Sequence, residues 1–323
     1  MKKIGVMTSG GDAPGMNAAI RAVVRTCIYN NLIPVGIYEG FQGLIDGDFE
    51  TLNARSVSNI LQRGGTILRS ARCKEFMTVE GRQKAFQNVH NHEIDALVII
   101  GGDGSFTGAD VFFKEFNIPY IGIPGTIDND LFGTDYTIGF DTALNTIVTA
   151  VDKIKDTAAS HNRIFFVEVM GRDTGYLALN AAVATGAEDV FIPEEITDVE
   201  ELVHNLISAK KQKKNSSIVI VAEGDDSGGA VRLAEKVNSM YPDFDTRVTI
   251  LGHQQRGGAP TASDRILASR LGNSSVDALL KEKSGLMLGL VNGEICETTI
   301  EEAISRNKIL KHHLLTLIDQ LSI

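Results

Sequence analysis

The sequence predicts an α/β protein with two doubly wound, mostly parallel sheet domains that carry helices on both faces. The chain has 323 residues, about twice the ~150 of a typical domain, which predicts two hydrophobic cores. Short apolar runs alternate with stretches of helical periodicity, and this alternation is typical of parallel sheets. Hydrophobic residues make up 43% of the chain and charged residues 22%, ordinary proportions for a packed globular protein.

The strand candidates are apolar on both sides and are bounded by Gly, Pro or Asp, as expected for strands that helices cover on both faces. In chain order they are Ile4–Met7, Val35–Tyr38, Ala96–Ile100, Tyr120–Ile123, Arg163–Val169, Val190–Ile192, Ile218–Ala222 and Val248–Leu251. The helix candidates between them are Met16–Tyr29, Ser105–Phe116, Ala143–Ala158, Gly175–Ala184, Val199–Ala209 and Ser263–Leu271.

The charge of the chain limits its partners. Acidic residues outnumber basic ones by 41 to 31, for a net charge of −10, so we expect neither nucleic acid nor an anionic membrane as a partner. No run of 18 apolar residues occurs, and the first apolar segment is too short for a signal peptide. Cys27, Cys73 and Cys296 form no C-x-x-C pair, which favours a cytoplasmic location.

Glycine-rich loops follow three of the strand candidates. They are Thr8–Gly15, Gly101–Ser105 and Pro124–Asp130. Paired glycines let backbone N–H groups approach a phosphate, and a helix N-terminus adds partial positive charge. One such loop is equally well explained as a tight turn, whereas three at strand ends favour a phosphate site.

Carboxylates within these loops predict further chemistry. The chain has no G-x-x-x-x-G-K-[ST] motif, and the spacing from Gly104 to Gly108 does not fit G-x-G-x-x-G. Asp103 would repel a phosphate unless a divalent cation intervened, and Mg²⁺ accepts one or two carboxylates together with phosphate oxygens. Asp128 and Asp130 flank Asn129, which makes a general base a candidate here. Asp130 is also explained by an Asx turn.

Arginines that could bind phosphate are spread along the chain. A single arginine is more often part of a surface ion pair, but several of these lie beside glycine pairs at element ends, where bidentate phosphate binding is favoured. They are Arg63, Arg72, Arg163, Arg172, Arg247 and Arg256.

Taken together, these motifs resemble the ATP-dependent 6-phosphofructokinases of the bacterial type. The matching segments, in order, are Thr8–Asn17, Gly101–Ser105, Pro124–Asp130, Ser160–Arg163, Val169–Arg172 and Gly252–Gly258. The resemblance implies transfer of the γ-phosphoryl of ATP to the 1-hydroxyl of fructose 6-phosphate, a step of glycolysis, with Mg²⁺ as cofactor. It also implies a homotetramer whose active sites cross a subunit interface. The larger, ATP-binding domain would comprise residues 1–138 and 252–305, and the smaller, sugar-phosphate-binding domain 139–251 and 306–323.

The resemblance also assigns roles to residues. Asp128 is the expected general base, with Arg172 and Thr126 beside the transferring group. The expected ATP contacts are Gly11, Phe41 (as an adenine platform), Arg72, Cys73, Gly102, Asp103, Gly104 and Ser105. The expected sugar-phosphate contacts are Thr126, Asp128, Asp130, Arg163, Met170, Gly171, Arg172, Glu223, Arg247, His253 and Arg256.

A second, effector site for ADP or phosphoenolpyruvate is implied in an altered form. Its expected residues are Arg21, Arg25, Arg55, Lys155, Gly186, Glu188 and Lys214. The expected Mg²⁺ contacts are Asp103 and, at this second site, Glu188. Ala54, Asn59, Lys155 and Ser216 replace residues usual in the family, so we expect weak regulation.

Three alternatives stay open at this point. A pyrophosphate-dependent phosphofructokinase usually has Asp and Lys where this chain has Gly104 and Gly125, and we expect these glycines to leave room for a nucleotide. A NAD or lipid kinase with a similar Gly-Gly-Asp-Gly loop would lack the sugar-phosphate arginines. A non-catalytic sugar-phosphate sensor is disfavoured by the intact Asp103, Asp128 and Arg172.

Overall fold

A computed structural model of the chain describes residues 1–159, 163–211, 217–310 and 312–322. The chain divides into two compact units. Unit 1 comprises Met1–Ile127, Leu131–Thr142 and Arg256–Lys308, and unit 2 comprises Asp128–Asp130, Ala143–Gln255 and Ile309–Ile323. The binding roles that the resemblance gives to the two parts of the chain remain predictions.

Strands and helices alternate through most of the chain. The strands are β1 (Lys3–Thr8), β2 (Ile33–Ile37), β3 (Phe49–Thr51), β4 (Ala96–Gly101), β5 (Tyr120–Pro124), β6 (Ile164–Val169), β7 (Asp189–Phe191), β8 (Ser217–Ala222), β9 (Thr246–Ile250), β10 (Leu286–Val291) and β11 (Glu294–Thr299). The helices are α1 (Met16–Tyr29), α2 (Phe41–Asp46), α3 (Val79–Asn91), α4 (Asp103–Phe116), α5 (Phe140–Ala159), α6 (Tyr176–Thr185), α7 (Val199–Lys211), α8 (Ala230–Met240), α9 (Ala262–Leu280), α10 (Ile300–Ser305) and α11 (His313–Leu321). Among the described residues, no helix is long and apolar enough to cross a membrane.

Each unit is built on one sheet. Unit 1 has seven strands in the order β11-β10-β5-β4-β1-β2-β3, and unit 2 has four in the order β7-β8-β6-β9. All pairs in the smaller sheet are parallel. In the larger sheet only the edge pairs, β2 with β3 and β10 with β11, are antiparallel. The α/β class with two mostly parallel sheets is therefore confirmed.

Helices cover both faces of the larger sheet because its strands are apolar on both sides. In β4, Leu97 and Ile99 join the core formed with α2, α3 and α4. Val98 and Ile100, which point to the opposite face, are fully buried, and α1 and α9 pack against β4. The unit 2 core combines Phe166 and other strand residues with apolar residues of α7 and α8.

The antiparallel hairpin of β10 and β11 was not among the sequence candidates. Its two-residue turn is Asn292-Gly293, with φ values of 52° and 84°. A two-residue hairpin requires positive φ at both positions, and Asn-Gly satisfies this with the least strain. This dipeptide was the sequence feature that could have identified the hairpin.

A partly buried ion pair joins α3 to α4, with the side chains of Arg82 and Glu115 10% and 31% exposed. The Arg82 guanidinium is bidentate to Glu115, with Nε–Oε2 and Nη2–Oε1 distances of 2.6 Å, and its Nη1 donates to the Phe76 carbonyl at 3.0 Å. Arg82 is only 8% exposed. The hydrogen bond from Arg82 lowers the pKa of Glu115 below its usual value, so the pair stabilises the fold at neutral pH.

We expect Glu115→Gln to lower the free energy of unfolding by about 1–3 kcal/mol at pH 7, because it leaves the guanidinium without its charged partner. Since the folded pKa of Glu115 is depressed, the difference from the wild type should shrink as the pH falls below about 4.3, the ordinary glutamate value. Urea unfolding at pH 7 and pH 3.5 measures both effects.

The matched control is Glu75→Gln, which removes the partner of Lys84. That pair is also 2.6 Å apart, but its side chains are 59% and 42% exposed, so a much smaller effect is expected. Equal effects of the two variants would contradict the contribution assigned to Glu115.

Candidate active site

The three glycine loops begin side by side in unit 1, and the last residues of the third loop, Asp128–Asp130, are assigned to unit 2. They follow β1, β4 and β5, which are neighbours in the sheet. Ser9 N donates to the Ile100 carbonyl at 3.0 Å and Gly125 N to the Gly101 carbonyl at 2.9 Å. A β-carbon at Gly101 would lie 2.7 Å from the Ser9 carbonyl oxygen. The absence of a side chain is therefore what lets the loops approach each other.

The first loop leads into α1. Gly10 and Gly15 have φ values of 84° and 110°, conformations that favour glycine. The Arg256 guanidinium lies over Gly11, where a β-carbon would be 2.4 Å from Nη1, and Nη1 donates to the Asp12 carbonyl at 3.3 Å. The structure thus brings Arg256, predicted at the sugar phosphate, to the loop predicted to bind ATP.

The second loop opens α4. Asp103 and Gly104 are exposed in its first turn, and Ser105 is buried. A β-carbon at Gly102 would contact the Thr126 side chain at 3.6 Å, while one at Gly104 would meet nothing within 4 Å. Across the described residues, no group of three or more His, Cys, Asp or Glu side chains could hold a metal ion. The exposed Asp103 carboxylate fits Mg²⁺, which commonly takes one or two carboxylates together with phosphate oxygens.

The third loop is bonded to the segment that returns from it. Ile138 N donates to the Pro124 carbonyl at 2.9 Å, and Thr137 Oγ1 donates to the Thr126 carbonyl at 2.5 Å. Asp128 is 7% exposed. Gly125 is enclosed, because a β-carbon there would lie 2.9 Å from Ile100 Cγ2. Of the two glycines expected to leave room for a nucleotide, a β-carbon would meet neighbours at Gly125 and none within 4 Å at Gly104. The expectation itself stays a prediction.

The segment that carries Arg72 is anchored to the first loop. Thr8 Oγ1 donates to the Arg69 carbonyl at 2.7 Å and Ser70 Oγ to the Gly10 carbonyl at 2.8 Å. The Arg72 side chain is exposed, whereas Cys73 is half-buried against the core, and burial raises the pKa of its thiol.

The ring of Phe41 belongs to the hydrophobic core. It is 8% exposed, its centroid lies 4.2 Å from that of Phe76 in a stacked arrangement, and a β-carbon at Gly108 would lie 3.2 Å from its edge. An adenine platform needs an open ring face, so this placement does not support the role expected for Phe41.

In unit 2, the loop after β6 has a strained backbone. Gly171 and Arg172 have φ values of 147° and 56°, and non-glycine residues with positive φ are concentrated at functional sites. Arg172 N donates to Glu223 Oε1 at 2.8 Å, and Met170 N donates to Gln255 Oε1 at 3.1 Å. The bond from Arg172 brings Glu223 to the consecutive residues Met170, Gly171 and Arg172. Their shared role in one site stays a prediction.

Two of the predicted phosphate arginines share one carboxylate. Arg163 Nε lies 2.8 Å from Asp245 Oδ2, and Arg247 Nη1 lies 2.5 Å from Asp245 Oδ1. The hydrogen bond from Arg163, and then the charge of Arg247, lower the pKa of Asp245. His253 is exposed in the short 3₁₀ helix Gly252–Arg256. Ser160, His161 and Asn162, which precede Arg163 in the motif, lie outside the described residues.

The candidate effector residues fall in both units. On α1, Arg21 and Arg25 are one turn apart on the same face, and burial followed by the charge of Arg25 lowers the pKa of Arg21. Arg55 is exposed. Lys155 Nζ donates to the carbonyls of Thr185 and Gly186 at the C-terminus of α6. Glu188 is half-buried just before β7, and Lys214 lies outside the described residues.

Three residues that position the candidate site residues were not predicted from the sequence. Asn17 accepts from Ile67 N at 2.7 Å and donates to the carbonyls of Arg63 and Gly64. Gln255 is fully buried and supports Met170, and Asp245 orders the arginine pair. Asn17 and Gln255 stand inside the matched motifs, which was the available indication, whereas no pattern pointed to Asp245.

Two doubly wound sheets with glycine loops and arginines at strand ends are typical of an α/β phosphotransferase. The profile of the phosphofructokinase family matches residues 3–279. The chain belongs to the phosphofructokinase family.

Named relatives match the whole chain. It is 58% identical over 323 residues to ATP-dependent 6-phosphofructokinase 2 of Bacteroides thetaiotaomicron, covering 100% of this chain and 99% of that protein. It is 52% identical over 317 residues to ATP-dependent 6-phosphofructokinase 1 of Thermus thermophilus, covering 98% of each.

A solved structure agrees in fold. Phosphofructokinase from Saccharomyces cerevisiae superposes with a TM-score of 0.90 at 40% identity over 100% of this chain. The chain spans 47% of the length of that yeast chain.

Proposed function

We propose that this chain is an ATP-dependent 6-phosphofructokinase, which transfers the γ-phosphoryl of ATP to the 1-hydroxyl of fructose 6-phosphate and forms fructose 1,6-bisphosphate and ADP. The observation that carries the proposal is the adjacency of the three glycine loops at the carboxyl ends of β1, β4 and β5. The full-length similarity to enzymes named for this activity supports it. The three free cysteines support a cytoplasmic location.

On the nucleotide side, Gly11 and Gly102–Ser105 contact the phosphates, with the backbone N–H groups of Gly11 and Gly102–Gly104 as donors, and the start of α4 adds partial positive charge. Arg72 neutralises phosphate charge from its exposed position. Asp103 would hold Mg²⁺, and the bound cation would supply further charge neutralisation at the transferring group.

Asp128 acts as the general base. Its carboxylate accepts the proton of the sugar 1-hydroxyl as that oxygen attacks the γ-phosphorus, while the bond from phosphorus to the ADP oxygen breaks. Thr126 and Arg172 stabilise the negative charge on the phosphoryl oxygens as they pass.

The sugar phosphate is held mainly by charge-assisted bonds. Arg163 and Arg247, ordered by Asp245, bind its 6-phosphate, and paired guanidinium groups of this kind suit a phosphate dianion. The remaining proposed sugar contacts are Asp130, Met170, Gly171, Glu223, His253 and Arg256. We further propose a homotetramer in which Arg163 and Arg247 serve a neighbouring subunit's site. Sizing with and without fructose 6-phosphate tests the assembly.

We expect Asp128→Ser to lower kcat by at least ~10²–10⁴-fold while the KM values for both substrates stay within about threefold. The base acts only as the hydroxyl loses its proton, so its loss affects the transition state and not binding. Steady-state kinetics with a coupled assay measures this. The control is Asp152→Ser, an exposed aspartate of α5, and near wild-type kcat in Asp128→Ser would refute the role of Asp128.

The phosphoryl donor is expected to be ATP and not pyrophosphate, because Gly104 leaves open space beside Asp103. We expect Gly104→Asp to lower kcat/KM for ATP by on the order of 10–100-fold through repulsion of the α-phosphate. Gly104→Asn has the same size without the charge and should lose much less. Efficient turnover of the wild type with pyrophosphate would show that the donor assignment is wrong.

Regulation by ADP or phosphoenolpyruvate is expected to be weak. The Lys155 ammonium is bound to the last carbonyls of α6, so an effector phosphate would compete with a helix end for it. We expect millimolar effector to move the fructose 6-phosphate half-saturation by less than about twofold. A tenfold shift at sub-millimolar effector, measured at fixed ATP and Mg²⁺, would contradict this.

A further inference from the structure

A buried carboxylate in unit 1 joins the starts of two helices that are far apart in the chain. Asp264, in the first turn of α9, is 1% exposed. Its Oδ1 accepts from Gly139 N at 2.8 Å, and its Oδ2 accepts from Thr142 N at 2.8 Å and Thr142 Oγ1 at 2.5 Å. These donors belong to the beginning of α5. Asp264 therefore caps a helix that starts more than 120 residues before it.

The start of α9 is in turn bonded to the start of α5 through Thr261. Thr261 caps α9 by accepting from Asp264 N at 3.3 Å, and its hydroxyl donates to Asp141 Oδ2 at 2.5 Å. Thr261 N donates to Thr142 Oγ1 at 3.0 Å. Each helix start is thus held by side chains of the other, so a shift of one requires a shift of the other.

The residue that Asp264 anchors lies where two functional loops meet. A β-carbon at Gly139 would be 2.7 Å from Ala13 Cβ and 3.2 Å from Pro14 Cδ, in the first glycine loop. It would also be 3.3 Å from Ile127 Cγ2, and Ile127 directly precedes Asp128. The Gly139 backbone therefore sets the spacing between the first loop and the residues that lead to the proposed base.

Asp264 also lies under the end of the first loop itself. A β-carbon at Gly15 would be 3.5 Å from Asp264 Cβ and 2.6 Å from Ile138 Cγ2. Because the return segment is bonded to the third loop at Pro124 and Thr126, any displacement of Gly139 would be passed to both loops.

Capping a helix does not by itself require a buried carboxylate from a distant part of the chain. In the same unit α3 and α10 are capped by the local threonines Thr78 and Thr299. At Asp264, three donors converge on two oxygens, and burial raises the pKa of the carboxyl. Both side-chain oxygens of Asp264 accept hydrogen bonds, which a carboxylate can do. An asparagine at this position would turn its own NH₂ group toward one of the donors. Burial of a charged carboxylate is unfavourable, and the three hydrogen bonds that Asp264 accepts offset that cost.

We propose that Asp264 is a positioning residue for phosphoryl transfer, which, through Gly139, fixes Thr126 and Ile127 against the Ala13–Gly15 end of the first loop. The proposal rests on the proposed function. Reacting groups must be held within a fraction of an ångström, and a misplacement of about 1 Å lowers the rate by ~10²-fold. The expected signature is a loss of kcat without a comparable change in substrate affinity.

The test compares Asp264→Asn and Thr142→Val with the control Thr299→Val, which removes a helix cap of the same unit away from both loops. Measured quantities are the melting temperature and, well below it, kcat and the KM values for ATP and fructose 6-phosphate. We expect kcat to fall by about 10–100-fold in Asp264→Asn and by a smaller factor in Thr142→Val, with both KM values within about threefold. Thr299→Val should lower the melting temperature and leave kcat unchanged.

The proposal is overturned if the two junction variants lose thermal stability as the control does but keep wild-type kcat. If Asp264→Asn does not fold, Thr142→Val decides, because it retains the carboxylate and the shape of the side chain. A wild-type protein without activity on ATP and fructose 6-phosphate would refute the proposed function itself, and the positioning role with it. The two failures are therefore distinguishable.

Discussion

The parallel pairing of β1, β4 and β5 is the constraint on which the candidate site depends. Their register, Thr8 opposite Ile100 and Gly101 opposite Pro124, brings three strand ends to the same edge of the sheet. Loops from distant parts of the sequence can meet there only if their backbones come close. Glycine at 101 permits this where a side chain would collide with the Ser9 carbonyl. The arrangement of loops proposed to bind phosphate is therefore a consequence of strand register and of missing β-carbons.

Electrostatics explains how an acidic chain can handle phosphate. The net charge of −10 disfavours general attraction of anions, whereas local polar contacts place individual guanidinium groups. Asp245 holds two guanidinium groups together, and the carbonyl of Asp12 draws Arg256 over Gly11. Discrete contacts of this kind favour recognition of a particular phosphate geometry over general affinity for polyanions.

The sequence predicted the parallel strands well because their apolar runs are local and strongly patterned, and it predicted the loops because glycines and carboxylates follow those runs directly. It missed β3 and β11, edge strands whose exposed residues include glutamates and which lack a continuous apolar run. It also missed β10, an internal strand whose apolar run Leu286–Val291 was an available indication. Phe41 illustrates another limit. The sequence alone does not distinguish an aromatic ring that is exposed at a binding site from one that is stacked in the core, as Phe41 is on Phe76. Asp264 was not predictable because its partners Gly139 and Thr142 are distant in the sequence, and Asp245 joins its near neighbour Arg247 to the distant Arg163. Sequence patterns do not pair positions across a fold.

The antiparallel strands at the two ends of the larger sheet have a bearing on aggregation. An exposed parallel edge offers unpaired N–H and C=O groups to any other extended chain. Here one edge is β3, only three residues long and containing Glu50, and the other is β11, which presents Glu294 and Glu297. Short length at one side and carboxylates at both discourage the addition of a foreign strand. The sheet that supports the loops is thus protected against growing by edge-to-edge pairing in a crowded cell.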